Sequence, residues 1–109
     1  MARTQSLQEH LTLVQDELRA AKQKRDADAR THVDAALAHV KMAEHELKDR
    51  ASVGSDQAKL QFDETRQHLD EVTKSGKIAL AEAGDKLHER IDEMMAHAKR
   101  AAESAKRSM

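Results

Sequence analysis

Ala51-Ser52-Val53-Gly54-Ser55-Asp56, at the midpoint of a chain of 109 residues, is the segment on which the fold turns. Gly54 is one of only three glycines and proline is absent, so few other positions stop a helix. Glycine ends a helix in the left-handed conformation without a side-chain penalty, and Ser55 or Asp56 can cap the next one. Outward from this break, the spacing predicts a helix over about 5–51, a turn at 52–55 and a helix over about 56–107, in one domain spanning 1–109. Ser6-Leu7-Gln8-Glu9 has the form of a capping box at the first start, Glu9 reaching back to the Ser6 amide.

Composition points the same way. Alanine, glutamate, lysine, leucine and arginine make up 58 of the 109 residues, a proportion typical of long helices and coiled coils. Only 18 residues are Leu, Ile, Val or Phe, and Phe62 is the sole aromatic, too few for β structure or an ordinary globular core. Charged residues reach 36%, yet the net charge is −1, without the imbalance that usually accompanies disorder. Near-neutrality also gives no reason to expect nucleic acid or an anionic membrane as partner. With no cysteine there is no disulfide frame, thiolate metal site or cysteine nucleophile. No apolar run approaches the ~20 residues that span a bilayer, so the expectation is a cytoplasmic protein without membrane insertion.

Leu7, Leu11, Val14 and Leu18 are spaced four, three, four, but Lys22 and Arg25 then fall where a strict heptad needs apolar residues. An eleven-residue repeat fits better: Leu7, Leu18, Ala29, Val40 and Ala51 form one row, and Leu69, Leu80, Ile91 and Ala102 another. Such a repeat keeps one face on a nearly straight helix. Six acid-to-base pairs at i,i+4, among them Asp26–Arg30, Glu44–Lys48 and Glu82–Lys86, line the other faces as a solvated coat. Breaks near 26–31 and 75–77, where Thr31 with Asp34 can cap and Ser75-Gly76 can end a helix, would instead give four shorter helices in one chain. Unbroken helices are more economical, since neither place carries proline or a glycine–polar loop.

Folding at Gly54 sets residue i opposite about 107−i. Leu47 then meets Leu60 and Phe62, Val40 meets Leu69, Leu18 meets Ile91 and Val14 meets Met94, while Ala27 and Ala29 face the alanines at 79, 81 and 83. The expected packing set is Leu7, Leu11, Val14, Leu18, Val33, Val40, Leu47, Leu69, Val72, Leu80, Leu87, Ile91 and Met94. Such a hairpin is a thin rod of little interior, and small cores commonly need oligomerisation. Leu13, Leu37, Ile78, Leu87 and Met95, just off the seam, offer a second surface. The expected fold class is therefore all-α, a long antiparallel, coiled-coil-like hairpin that dimerises into a four-helix bundle. Its expected partner is a second copy of itself, or another helical protein.

Seven histidines are the one compositional feature with chemical meaning. In the hairpin register His10 opposes His97 and His39 opposes His68, with Glu93 and Glu64 one turn before the second member of each pair. Imidazole with carboxylate suits zinc, nickel or copper, and bundles hold such sites between facing helices. The candidate metal ligands are thus His10, Glu93 and His97 at one end, and His39, Glu64 and His68 nearer the turn. Against this stands the commoner role of such histidines as solvated flank residues, for which no cofactor is needed. Asp85-x-x-His88-x-x-x-Asp92 is a further acid–histidine grouping. Clustered histidines also gain charge near their ordinary pKa of ~6.5, which would loosen a hairpin or dimer in acid.

Catalysis finds no motif: nucleophile elbow, phosphate loop and HExxH are all absent. Basic residues gather at Arg19–Arg30 and at Lys99, Arg100, Lys106 and Arg107, most simply as solvated faces. The eleven-residue amphipathic pattern is similar in style to exchangeable apolipoproteins, phasins and late-embryogenesis proteins, a likeness of pattern that implies lipid- or granule-surface binding. Lipid surfaces favour a broad face with Trp, Phe or Leu, whereas this stripe is narrow and half alanine. The expected function is a non-enzymatic, self-associating structural or interaction module, with a metal-binding bundle as the alternative.

Overall fold

The computed structural model describes residues 2–51 and 56–107. They form four helices: α1 (Ala2–Lys22), α2 (Asp26–Ala51), α3 (Asp56–Ala79) and α4 (Gly84–Arg107). No strand occurs among the described residues. The proposed turn at 52–55, with its Gly54 cap, lies outside them. Ser6 does not open the first helix, because α1 already begins at Ala2.

Two unbroken helices were expected, and this is corrected at two places. The chain turns at 23–25 and at 80–83, rather than near 26–31 or 75–77. Thr31 lies inside α2, where its hydroxyl donates to the Ala27 carbonyl at 2.9 Å. Gly76 lies inside α3; a Cβ there would come within 2.7 Å of Leu37 Cδ2 and 3.0 Å of Met94 Cε. Its role is to let three helices approach, not to end one. Tight i→i+3 bonds finish both helices instead: Gln23 and Lys24 amides donate to Ala20 and Ala21, and Ala81 and Glu82 amides to Ile78 and Ala79.

The balance of magnitudes explains the breaks. Turning at 23–25 interrupts a few backbone bonds, each worth ~1 kcal/mol net. It also places Asp26 at φ +42°, a left-handed conformation costing ~1–2 kcal/mol. In return α1 and α2 face each other and Leu11, Val14, Leu18, Val33, Val40 and Leu47 become buried. Each such side chain contributes ~1.5–3 kcal/mol. Lys22-Gln23-Lys24-Arg25 has nothing apolar to lose at the bend. Burial wins.

The result is a helical bundle measuring 44 × 22 × 17 Å. α1 and α2 pack closely, as do α3 and α4; α1 with α4 and α2 with α3 close the other two sides. The four-helix arrangement expected from two copies is thus made by one chain. The buried positions follow a three–four spacing within each helix: 7, 11, 14, 18, 21 in α1; 29, 33, 36, 40, 43, 47 in α2; 62, 65, 69, 72, 76, 79 in α3, with Ser75 beside Gly76; 87, 91, 94, 98, 101, 105 in α4, with Ser104 beside Ala105. Leu87, expected both in the packing set and just off the hairpin seam, belongs to this core, and Leu80, expected in it, is only partly buried against it. Leu60, expected to face Leu47, is 71% exposed, while Phe62 is buried. Ala81 and Ala83 lie exposed in the second connection rather than against Ala27, which is itself exposed.

Candidate functional site

The bend at 23–25 changes which histidines meet. On α1 and α2, a polar residue precedes each of several core positions: His10 before Leu11, Glu17 before Leu18, His32 before Val33, His39 before Val40 and Glu46 before Leu47. A residue just before a core position lies on the flank of its helix, and in an antiparallel pair like flanks face each other along one seam. The α1·α2 seam therefore brings His10 to His39 and Glu17 to His32. The imidazole rings of His10 and His39 stack with centroids 6.3 Å apart and planes inclined by 25°. One heptad along, His32 Nδ1 lies 3.0 Å from Glu17 Oε2, both side chains about two-thirds buried.

His10 and His39 are half-buried, and the Nδ1 atoms of both are enclosed without a hydrogen-bond partner. So is Nδ1 of His97, and so is Oε2 of Glu46. A buried polar atom left unpaired costs ~1–3 kcal/mol, so such atoms concentrate attention on this seam. Immediately outside the pair, Leu13 and Met42 stand three residues beyond His10 and His39, 40% and 48% exposed. Each lies on the same side of its helix as the preceding histidine.

The six expected ligands are placed as follows. His10 and His39, assigned to separate clusters in the hairpin register, are partners of each other. Glu64 Oε1 lies 3.9 Å from His68 Nε2, an i,i+4 approach within α3. Glu93 is engaged by the Arg90 guanidinium, which donates to its two oxygens at 3.0 and 3.2 Å and also approaches Glu82 at 3.5 Å. His97 has its enclosed Nδ1 but no ring contact among the described residues. No three His, Asp or Glu side chains among the described residues are arranged to hold a metal ion. Comparison with family models, curated proteins and solved structures gives no match.

Within the Asp85–His88–Asp92 grouping, His88 and Asp92 tie helices together. His88 Nε2 donates to the Lys24 carbonyl at 2.9 Å, and Lys22 Nζ pairs with Asp92 at 2.9 Å. Both bonds hold the start of α4 against the first connection. On the α2·α3 side, Lys41, Glu44, His45, Lys48 and Arg66 line an open, charged groove. Burial pushes the Glu44 carboxyl above the usual glutamate range and Asp70 adds to it, opposed by Arg66, His45 and Lys41.

A further turn placed at 24 brings His10 to His39. The signal was the phase slip between Ala21 and Ala29, eight residues where a continuing heptad requires seven. The slip is mirrored between Ala79 and Leu87. Apolar content alone did not expose it, because alanine marks both edges.

Proposed function

We propose that this protein is a non-enzymatic interaction module, a coiled-coil-like helical bundle that self-associates through the α1·α2 face. The observation that carries this reading is the pairing of exposed Leu13 and Met42 around His10 and His39 on that face. The corresponding outward positions of α3 and α4 are mostly charged, Glu64 and Glu71 on one helix and Lys86, Glu93 and Arg100 on the other, with exposed Ile78 the one apolar side chain among them. One lengthwise face of a 44 × 22 × 17 Å bundle has an area on the order of the ~800 Å² that each partner buries in a stable interface. Among the described residues no helix is long and apolar enough to cross a membrane. The grooves between helices are open and lined by long polar side chains, as at Lys41, Glu44, Lys48 and Arg66, which suits contact with protein better than capture of a small molecule.

Sedimentation equilibrium of the full chain, from micromolar to near-millimolar concentration, tests this. The wild type should reach a dimer, and a Leu13→Glu, Met42→Glu variant of unchanged helicity should remain a monomer. A wild type that stays monomeric throughout the range, with or without divalent metal, would overturn the reading.

A further inference from the structure

We propose that His10 and His39 are half of a divalent transition-metal site, and that a second copy of this chain, docked on the α1·α2 face, supplies the other half. This rests on the self-association proposed above and names what completes it.

Four observations converge on the pair. First, their rings are the ones in mutual contact among the described histidines, held by two antiparallel helices in matched register. Two imidazoles bound at a tetrahedral angle to one ion at ~2.1 Å place their ring centres roughly 5.3 Å apart. The observed separation is 6.3 Å, so the rings close by about 1 Å on binding. Second, neither ring is committed elsewhere. His32 is taken by Glu17, His68 approaches Glu64 and His88 bonds the Lys24 carbonyl. The Nδ1 edges of His10 and His39 are enclosed and unpaired, which leaves the Nε2 edge of each half-buried ring toward the surface. A neutral imidazole carrying its proton on Nδ1 offers the Nε2 lone pair to a metal.

Third, one chain supplies two ligands and no more, since no described group of three can hold an ion. A closed tetrahedral zinc site takes four, and imidazole ligands suit zinc, nickel and copper over calcium or magnesium. Fourth, the face has its own local two-fold symmetry. His10-x-x-Leu13 on α1 and His39-x-x-Met42 on α2 run antiparallel and repeat one arrangement, a histidine followed by an exposed apolar side chain. Docking two such faces about a two-fold axis sets four imidazoles around that axis. The same docking covers Leu13 and Met42 of both copies.

The test uses the full chain stripped with EDTA and then titrated with zinc, followed by calorimetry and sedimentation in parallel. Expected are one zinc per two chains and conversion of monomer to dimer, with cobalt(II) in the same site giving the absorption of a tetrahedral ion. His39→Gln should weaken zinc binding by about tenfold or more and stay monomeric with zinc, while His45→Ala, an exposed histidine on the same helix, should behave as wild type. The wild-type stoichiometry and cobalt spectrum decide the matter even if the His39 variant misfolds. One ion per chain with no change in mass, or no binding at all, overturns the proposal. A dimer that forms in EDTA and ignores zinc removes the metal but leaves self-association standing. A monomer with and without zinc removes both.

Discussion

The Asp26 carboxylate accepts a hydrogen bond from the Gly84 amide at 3.1 Å, across 58 residues of sequence. These two residues open α2 and α4, and both have positive φ, +42° and +60°. The connections 23–25 and 80–83 therefore lie side by side at one end of the bundle. Arg30 strengthens the join by donating to the Glu82 carbonyl at 2.9 Å. Since no other heavy atom lies within 4 Å of a Cβ built on Gly84, Gly84→Ala tests backbone strain alone. It should cost about 1 kcal/mol or somewhat more, although alanine is the better helix former. Asp26→Gly loses the side-chain bond but relieves its own strain, and should cost less than Asp26→Ala. Urea unfolding of the three variants gives the order directly; equal costs for both Asp26 variants would mean that the φ of Asp26 carries no strain.

The α3·α4 interface contains a polar bond inside the core. Thr65 Oγ1 donates to Ser104 Oγ at 2.9 Å, and both residues are almost fully buried. Thr65→Val leaves the Ser104 hydroxyl in an apolar layer without its Thr65 donor, whereas removing both restores a matched surface. Thr65→Val should cost about 1 kcal/mol, and Ser104→Ala less, because Thr65 keeps a further interaction. The double variant should cost clearly less than the sum, because the two positions share one interaction. A double-mutant cycle by chemical denaturation measures the coupling; strict additivity would show that the bond adds nothing to stability.

This bond also marks the limit of what the pattern of large apolar residues conveys. Leu7, Val14, Leu18, Val40, Leu47, Leu69, Val72, Ile91 and Met94 are expected in the core and are buried. Their spacing is local, and any helical arrangement keeps it. Thr65, Ser75 and Ser104 occupy buried positions that hydrophobicity does not reveal, and Gly76 fits a close approach rather than a break. The turns escaped for a related reason. Lys22 to Arg25 contains no residue with a strong turn preference, and the break there is driven by burial gained far away. The bend at 23–25, marked in the sequence only by the eight-residue spacing from Ala21 to Ala29, selects the register that joins His10 to His39 over the one that joins His10 to His97.

Acid should stabilise one feature of the surface. The Glu44 carboxyl lies above the usual range chiefly through burial and then through Asp70. A carboxyl whose folded pKa exceeds its unfolded value binds its proton more readily in the folded state, so its ionisation opposes folding at neutral pH. That opposition is present above the folded pKa and disappears as pH falls through the glutamate range. Glu44→Gln should therefore match or slightly exceed the wild type at pH 7, by about a few tenths of a kcal/mol given solvent screening, and lose this advantage in acid. Thermal melts across the carboxylate range check the sign. A variant less stable than wild type at neutral pH would show that Arg66, His45 and Lys41 outweigh burial.

Leu60 and Phe62 separate the hairpin register from the bundle most sharply. Both were expected to cover Leu47, but a spacing of two places them on different sides of α3. Phe62 is buried with Thr65 and Leu69 in the three–four series, while Leu60 is 71% exposed. Truncating a buried phenylalanine removes its transfer energy and leaves a cavity, so Phe62→Ala should cost about 3 kcal/mol. Leu60→Ser exchanges an already hydrated side chain and should stay within about 0.5 kcal/mol of wild type. Far-ultraviolet circular dichroism during urea unfolding reads both. A large loss at Leu60 with little at Phe62 would place α3 in a different rotation about its axis, and the buried Thr65–Ser104 bond would fall with it.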